Sequence, residues 1–172
     1  MVCSLLIISV VVGAPDISGA PSLRKVQTIE LLIEEQERKE EIKTLENSEF
    51  TPTNLKRYLE LMELDFTDVI LRQAILETGW FNSSSFKQGN NLFGMRVPKK
   101  RETLANGSYL AHARYKHWTD SVKDYKMWQK YHINRGKSTD NYYAFLTSIG
   151  YATAGNYIDT LKRINLDRLE YA

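Results

Sequence analysis

The sequence predicts an α+β fold that is mostly helical and carries one small antiparallel hairpin. Several stretches place apolar residues at helical spacing between polar caps and glycines. Between Tyr109 and Trp118 the side chains alternate instead, which favours a strand. The chain has 172 residues, of which 42% are hydrophobic and 26% charged, so it is long enough for one globular domain with an appendage.

The appendage is predicted at the N-terminus. Residues 1–21 join an apolar run of signal-peptide length to a linker rich in Pro, Gly and Ser, and an uncleaved anchor is the alternative because no Lys or Arg precedes the run. Residues 22–49 hold eight acidic and five basic residues and predict a charged helical stalk or pro-segment, with a coiled-coil contact as the alternative. The folded domain is then expected at residues 50–172, with residues 1–49 dispensable for catalysis.

Two helices should form the centre of that domain. The first is capped by Thr53 or Asn54 and should pack on the second, which starts at Asp65 or Thr67 and stops in left-handed conformation at Gly79. The apolar face of the first consists of Leu55, Tyr58, Leu59 and Met62, and that of the second of Val69, Ile70, Ala74 and Ile75. A polar loop from Asn82 to Gln88 is expected to follow.

The second half of the chain predicts a hairpin and three more helices. Phe93 to Val97 should pair with Ala111 to Trp118 as an antiparallel ribbon. A helix capped by Thr119 or Asp120 follows, then one from Asn141 to Ile149 that Gly150 stops. The last helix should run from Tyr157 to Ile164.

Glu77 lies in the last turn of the second central helix, an unusual position for an acid. The carbonyl end of the helix dipole opposes a negative charge there, and the aromatic residues Trp80 and Phe81 follow at once to keep water away. Both effects raise the pKa of a carboxyl group. A carboxyl that keeps its proton near neutral pH can protonate a leaving oxygen. The alternative is an ordinary surface glutamate at a helix end.

A polar turn, Asn90 to Gly94, runs into a short apolar segment after the acid. Side-chain amides beside an aromatic ring are suited to holding the hydroxyl and acetamido groups of a sugar while the ring packs on its apolar face. Asn90, Asn91 and Phe93 are therefore candidate binding residues.

Three ordered motifs resemble the bacterial glucosaminidases of glycoside hydrolase family 73, which include autolysin domains and the flagellar peptidoglycan hydrolase. They are Glu77-Thr78-Gly79-Trp80, Asn90 to Gly94, and Tyr151-Ala152-Thr153 with Tyr157. The resemblance covers roughly residues 54 to 165. It implies a lysozyme-like fold, with a helical lobe, a β-hairpin lobe and a groove between them. It also implies an exported enzyme that cleaves the β-1,4 bond after N-acetylglucosamine in peptidoglycan or a related glycan.

The resemblance also implies roles for single residues. Glu77 would be the proton donor, and Glu102 is, by position alone, the nearest equivalent of a second acid in some relatives. If Glu102 is not the partner, the acetamido group of the substrate could attack the anomeric carbon. Relatives have Asp-Pro where this chain has Ala154-Gly155. The remaining implied residues are Tyr157 as catalytic and Trp80, Asn90, Asn91, Phe93 and Tyr151 as substrate-binding.

Other chemistries find little support in the sequence. His112, His117 and His132 lack metal-binding spacing, so neither a metal nor another cofactor is expected. The chain has neither a Gly-x-Ser-x-Gly elbow nor a phosphate-binding glycine loop. A second hypothesis is a lytic transglycosylase, but such an enzyme would need a downstream Gly-Leu-Met-Gln motif, and this chain has Gly94-Met95 without it. A third is a catalytically weak glycan-binding protein of the cell envelope.

The distribution of charge along the chain is relevant to the binding partners that we expect. The formal net charge is +2, but residues 50–172 hold eighteen basic and twelve acidic residues, which suits an anionic polymer or simply a solvated surface. The cluster Lys99-Lys100-Arg101 is typical of a solvated hairpin tip, and contact with an acidic polymer is the alternative. We expect a monomer, no nucleic-acid partner, and membrane contact only through the N-terminal segment.

Overall fold

A computed structural model describes residues 23–137, 141–152 and 154–171, so the predicted signal peptide or anchor at residues 1–21 lies outside the described residues. The described part is mostly helical and has one small antiparallel sheet, which confirms the predicted α+β class in its coarse form. The elements are α1 (Leu23–Leu45), α2 (Pro52–Leu61), α3 (Thr67–Thr78), α4 (Ser84–Gly89), β1 (Ser108–Tyr109), β2 (His112–Ala113), α5 (Trp118–Ile133), α6 (Tyr142–Ser148), α7 (Tyr157–Arg163) and a 3₁₀ helix (Leu166–Tyr171).

Helix α1 is shared between two compact units that divide after Arg38. In the second unit, the last turns of α1 take part in the core. Leu45 is buried, and Glu46 accepts a hydrogen bond of 2.9 Å from the hydroxyl of Tyr58 and lies 2.7 Å from the ammonium of Lys123. The compact unit therefore begins at Lys39, eleven residues before the boundary that the sequence predicted. We therefore propose Lys39 as the start of the folded domain, since composition does not reveal which turns of a charged helix carry a buried leucine.

The segment after α1 is also held by the core. The carbonyl of Ser48 accepts hydrogen bonds from the ring nitrogen Nε2 of His117 at 2.9 Å and from Nε1 of Trp118 at 3.0 Å. The ring of Phe50 packs against Phe86, with 4.6 Å between centroids. Residues 39–50 thus cover the start of α5 rather than extending away from it.

Helices α2 and α3 pack against each other as predicted. The cap of α2 is Thr51 rather than Thr53 or Asn54, because Pro52 occupies the first helical position and the Thr51 hydroxyl accepts a bond of 3.0 Å from the Asn54 amide. Gly79 ends α3 with φ of 55°, which confirms the predicted left-handed stop. Helix α3 also contacts α7, and Glu77 near the end of α3 is thereby close to Tyr157 at the start of α7.

The stretch predicted as a polar loop, Asn82 to Gln88, contains the short helix α4. The Ser83 hydroxyl accepts a bond of 3.2 Å from the amide of Phe86 and so caps the helix. Phe86 is buried against the rings of Phe50 and Phe81. The prediction was wrong because this helix depends on a long-range aromatic contact that local polarity does not reveal.

The hairpin pairs a different first strand from the predicted one, which was Phe93 to Val97. Its strands pair Ser108 with Ala113 and Tyr109 with His112, around a turn in which Leu110 and Ala111 have φ of 48° and 64°. Phe93–Val97 is not a strand, although the Met95 carbonyl accepts a 2.8 Å bond from the Ala113 amide. Positive φ at both central positions is usual at Asn or Gly, so Leu and Ala gave no turn signal.

Helices α6 and α7 lie within one residue of their predicted bounds. The predicted caps of α5, Thr119 and Asp120, lie inside that helix, so this prediction was wrong. Helix α5 is capped by the ring of His117 and α6 by Asn141, and Gly150 follows α6 with φ of 62°. Over the described residues, no helix combines the length and the apolar character needed to cross a membrane. The core between the helices is aromatic and contains Tyr58, Phe93, Tyr115, Tyr125, Tyr142 and Phe145.

Two truncations test the position of the domain boundary. Deletion of residues 1–38 should leave the thermal midpoint nearly unchanged. Deletion of residues 1–49 should lower it by about 10 °C or more, because losing buried Leu45 and the partners of Tyr58 and Trp118 removes about 3 kcal/mol or more of the free energy of unfolding. Differential scanning calorimetry of both proteins makes the comparison, and equal midpoints would restore the boundary at residue 50.

Candidate active site

A cavity of about 690 Å³ opens beside the C-terminal end of α3. Its lining combines Glu77 with residues of the segment after α4, of α5 and of the loop before α7. Glu77 is the only carboxylate among the described residues that line it, whereas Arg96, His112 and His132 contribute basic groups. The aromatic part of the lining consists of Phe93, Trp128, Tyr151 and Tyr157.

The carboxyl group of Glu77 is partly buried and has one defined partner. The hydroxyl of Tyr157 donates a hydrogen bond of 2.9 Å to its Oε1 atom. Burial raises the pKa of Glu77 above its usual value, while the Tyr157 hydrogen bond and the nearby charge of His112 act in the opposite direction. The net effect is a raised pKa, which agrees in direction with the prediction from helix position.

Gly94 lets the backbone approach the second oxygen of Glu77. Gly94 has φ of 63°, and a Cβ atom added there would lie 2.7 Å from Oε2 and 3.4 Å from Cδ of Glu77. Any side chain at this position would push the carboxyl group away. A glycine here thus leaves the Glu77 carboxyl in place, and the positive φ separately favours glycine.

A chain of buried hydrogen bonds leads from α5 to Glu77. Starting at Tyr125, its hydroxyl donates to Oε1 of Gln73 at 2.6 Å, and Nε2 of Gln73 donates to the Tyr157 hydroxyl at 3.2 Å. Because the Tyr125 proton is used in this way, Tyr142 must donate to Tyr125 at 2.7 Å. Nε2 of Gln129 donates to Tyr142 at 3.1 Å. Every donor in the chain therefore points toward Glu77.

This direction bears on which oxygen of Glu77 carries the proton of the neutral acid. Because Tyr157 donates to Oε1 and a carbonyl oxygen is the better acceptor, protonation of Oε2, beside Gly94, is favoured. Sequence reasoning missed the buried hydrogen bonds that link Gln129, Tyr142, Tyr125 and Gln73. Gln73 lies one helical turn before Glu77 on a predominantly apolar helix, and that buried amide was the signal that could have revealed them.

The structure gives the two asparagines a positioning role. Nδ2 of Asn91 donates to the carbonyls of Met95 at 2.9 Å and Ala113 at 2.7 Å, and its Oδ1 accepts from the amide of Met95 at 3.1 Å. Nδ2 of Asn90 donates to the carbonyl of Tyr115 at 3.2 Å. Asn91 is buried and neither residue lines the cavity, so their amides shape the turn that presents Gly94 rather than facing a ligand.

Phe93 and Tyr151 both line the cavity and connect the second and third motifs. The Tyr151 hydroxyl donates a hydrogen bond of 2.7 Å to the carbonyl of Phe93. The Phe93 ring packs on Tyr125 with 4.3 Å between centroids, and the Tyr151 ring lies 5.8 Å from that of Tyr157. Burial raises the pKa of Tyr151 well above its usual value, so the hydroxyl stays protonated as a donor.

Trp80 is placed away from the cavity. Its side chain is 38% exposed, and the guanidinium of Arg168 lies 5.0 Å from the centre of its ring. The predicted shielding of Glu77 by Trp80 is therefore replaced by shielding from the residues that do line the cavity. The helix stop at Gly79 turns the chain outward, with φ of 57° at Trp80 itself.

Glu102 also lies apart from Glu77. Its side chain is exposed and does not line the cavity. Lys99 and Lys100 of the basic cluster are exposed as predicted, but Arg101 forms a buried two-pronged ion pair with Asp124 at 2.9 and 2.8 Å. The Leu104 amide donates to the same carboxylate at 3.1 Å. Thus the backbone on both sides of Glu102 is anchored while its carboxylate points to solvent.

Within residues 23–137, 141–152 and 154–171, the His, Cys, Asp and Glu side chains nowhere gather in a group of three that could hold a metal ion. The chemistry available in the cavity is thus one carboxyl group with a raised pKa, an aromatic wall and basic groups at the edge. Such a site can donate a proton to a bound neutral ligand.

Comparison with known proteins identifies relatives. A family model for glucosaminidases, described as mannosyl-glycoprotein endo-beta-N-acetylglucosaminidase, matches residues 55–167 and confirms the resemblance indicated by the motifs. The chain is also similar to protein bax of Escherichia coli (strain K12), with 33% identity over 67 residues, which is 39% of this chain and 24% of that protein. The chain thus matches only about a quarter of that relative's length. No solved structure matches significantly.

Removing the Tyr157 hydroxyl should raise the pKa of Glu77 further, because the hydrogen bond to Oε1 favours the ionised form and burial would then act with less opposition. A ¹³C NMR titration of the glutamate carboxyl signals in Tyr157→Phe checks this. Tyr58→Phe is the matched control, since its hydroxyl donates to Glu46, outside the cavity, and not to Glu77. An unchanged or lower pKa in Tyr157→Phe would contradict the assigned donor.

Proposed function

The chain belongs to the glucosaminidase family, and from this premise we propose that it is an exported peptidoglycan hydrolase that cleaves the β-1,4 bond after N-acetylglucosamine. The observation that carries the proposal is the position of Glu77, a carboxyl with a raised pKa on the wall of a cavity of about 690 Å³. Cavities of this size hold ligands of several rings. The aromatic lining suits the apolar faces of sugars.

In this mechanism Glu77 is the general acid. Its Oε2 proton passes to the glycosidic oxygen as the bond from that oxygen to the anomeric carbon breaks. Tyr157 keeps Oε1 as an acceptor and so directs the acidic proton to the other oxygen. Gln73, Tyr125 and Tyr142 hold the Tyr157 hydroxyl in place and are positioning residues.

The second half of the reaction is proposed to be assisted by the substrate. Since no second carboxylate is found in the described lining, the acetamido oxygen of the substrate attacks the anomeric carbon and forms a cyclic intermediate. Water then opens that intermediate at the anomeric carbon, and its proton passes to the Glu77 carboxylate. The product is a reducing-end N-acetylglucosamine, and the acid is regenerated.

The arrangement of the chain is proposed to follow the lysozyme-like plan. Helices α2, α3 and α5–α7 would form the helical lobe, and the segment from α4 to β2 the smaller lobe. The cavity at Glu77 would then be part of the groove between them. Residues 1–21 would direct export, residues 22–38 would form a stalk, and the protein would act as a monomer on the glycan of the cell envelope.

Replacing Glu77 by Gln should reduce wall hydrolysis by about 10²-fold or more, since it removes the general acid. The thermal midpoint should be nearly unchanged, because the amide oxygen of Gln still accepts the Tyr157 hydrogen bond. Dye release from labelled cell walls measures the activity. Activity within a few fold of the wild type would contradict the role of Glu77.

Glu102→Gln is the matched control and should retain most of the activity, because this carboxylate is exposed and outside the cavity. Mass spectrometry of the digest should find reducing-end N-acetylglucosamine. Products ending mainly in 1,6-anhydro muramic acid would favour the lytic transglycosylase instead. Binding of glycan without release of either product would favour the weak glycan-binding protein.

Gly94→Ala should lower wall hydrolysis by about 10²-fold, since the new Cβ displaces the Glu77 carboxyl from its working position. Gly136→Ala is the control for backbone strain, because Gly136 has φ of 79° with no atom near its added Cβ and lies outside the cavity. Both variants should lose comparable stability in calorimetry, but only Gly94→Ala should lose activity. Equal activities of the Gly94→Ala and Gly136→Ala variants would show that Gly94 does not position Glu77.

A further inference from the structure

A second cavity of about 320 Å³ lies next to the first. One side is formed by the backbone turn Pro98–Arg101 and the other by Trp128, Tyr131 and His132 of α5. Trp128 and His132 line both cavities, so the two sites share a wall. A ligand held in the first cavity therefore lies beside the space of the second.

The second cavity has an aromatic floor and a cationic rim. The rings of Trp128 and Tyr131 both pack beside His132, at 5.1 and 5.4 Å between centroids. Lys99 and Lys100 are exposed at the edge, and the guanidinium of Arg135 lies 5.3 Å from the centre of the Tyr131 ring.

Among the described residues, the charged groups that act on the pKa of His132 are all cationic. Burial lowers the pKa of His132, and Arg101, Arg135 and Lys137 lower it further, which indicates that these cations lie close to the imidazole. The acidic group packed nearby, Asp124, is buried and neutralised by Arg101, and the Glu102 side chain does not line the cavity. The site is therefore complementary to an anion that also has apolar groups.

We propose that this second cavity binds the acidic peptide that peptidoglycan carries on its sugars, next to the bond that is cleaved. This inference rests on the proposed function. A neighbouring N-acetylglucosamine is neutral and would leave the lysines without a partner. A short peptide with free carboxylates supplies ion pairs for Lys99 and Lys100, and its methyl groups can pack on Trp128 and Tyr131. Because Trp128 and His132 line both cavities, a peptide joined to the sugar in the first cavity would be close enough to reach the second.

The test measures binding by the Glu77→Gln variant, which should not consume its ligand. Soluble glycan fragments are prepared with their peptides and, from the same batch, with the peptides removed by an amidase. We expect the fragment with peptides to bind more tightly. Adding Lys99→Gln and Lys100→Gln should weaken its binding by about three- to tenfold, as expected for the loss of two rim charges, and should change the binding of the stripped fragment far less.

The double variant Lys87→Gln with Lys116→Gln is the matched control. It removes the same net charge from two exposed lysines outside both cavities and should leave the preference for the peptide intact. Equal affinity for the two fragments, no measurable binding of either, or an equal loss in both double variants would overturn the inference. Tighter binding of a phosphate polymer of the wall than of the peptide fragment would overturn the choice of occupant.

Wild-type hydrolysis of the stripped glycan separates this inference from the proposed function. If the stripped glycan is cleaved but the peptide has no effect on binding, the second cavity has no role and the hydrolase remains. If neither glycan is cleaved while the peptide preference persists, the proposed reaction fails and the second cavity remains a peptide site.

Discussion

The close contact between the carboxyl of Glu77 and the backbone at Gly94 constrains the whole site. A carboxyl group at the C-terminal end of a helix would normally turn to water, where its charge is best solvated. Here one oxygen faces Gly94 and the other is bonded to Tyr157, so the side chain is held in the cavity. Burial and hydrogen bonding act on the pKa in opposite directions, and burial has the larger effect. The carboxyl group is thereby held in position and has a raised pKa.

The motifs of the family meet through the backbone of the turn after α4. Asn91 closes this turn by bonding the Met95 and Ala113 carbonyls, and Tyr151 bonds the carbonyl of Phe93 in the same turn. Gly94 lies between these anchors. The asparagines and Tyr151 therefore hold the backbone that meets Glu77, although they are far apart in the sequence. The buried chain from Gln129 to Tyr157 supplies the equivalent support from the other side.

What the sequence could predict was local. The helix stop at Gly79 and the apolar faces of α2 and α3 follow from spacing and capping within a dozen residues. The pKa of Glu77 was predicted only in direction, because the residues that bury this side chain come from distant segments and not from Trp80. The misplaced features depend on contacts between distant segments. Helix α4 relies on Phe86 meeting Phe50, and the hairpin register relies on positive φ at Leu110 and Ala111. The amides of Asn90 and Asn91 looked free in sequence because their backbone partners come from another segment.

The buried pair of Arg101 and Asp124 restricts how this protein can vary. Arg101 uses both ends of its guanidinium on the Asp124 carboxylate and donates a further bond of 2.7 Å to the carbonyl of Glu102. Lysine cannot reproduce this planar set of donors. Loss of either partner would leave an uncompensated charge in a dry environment, which is more damaging than loss of the pair as a whole. The two positions are thus expected to be inherited as a unit, so that a lineage either keeps both charges or replaces both by a neutral pair.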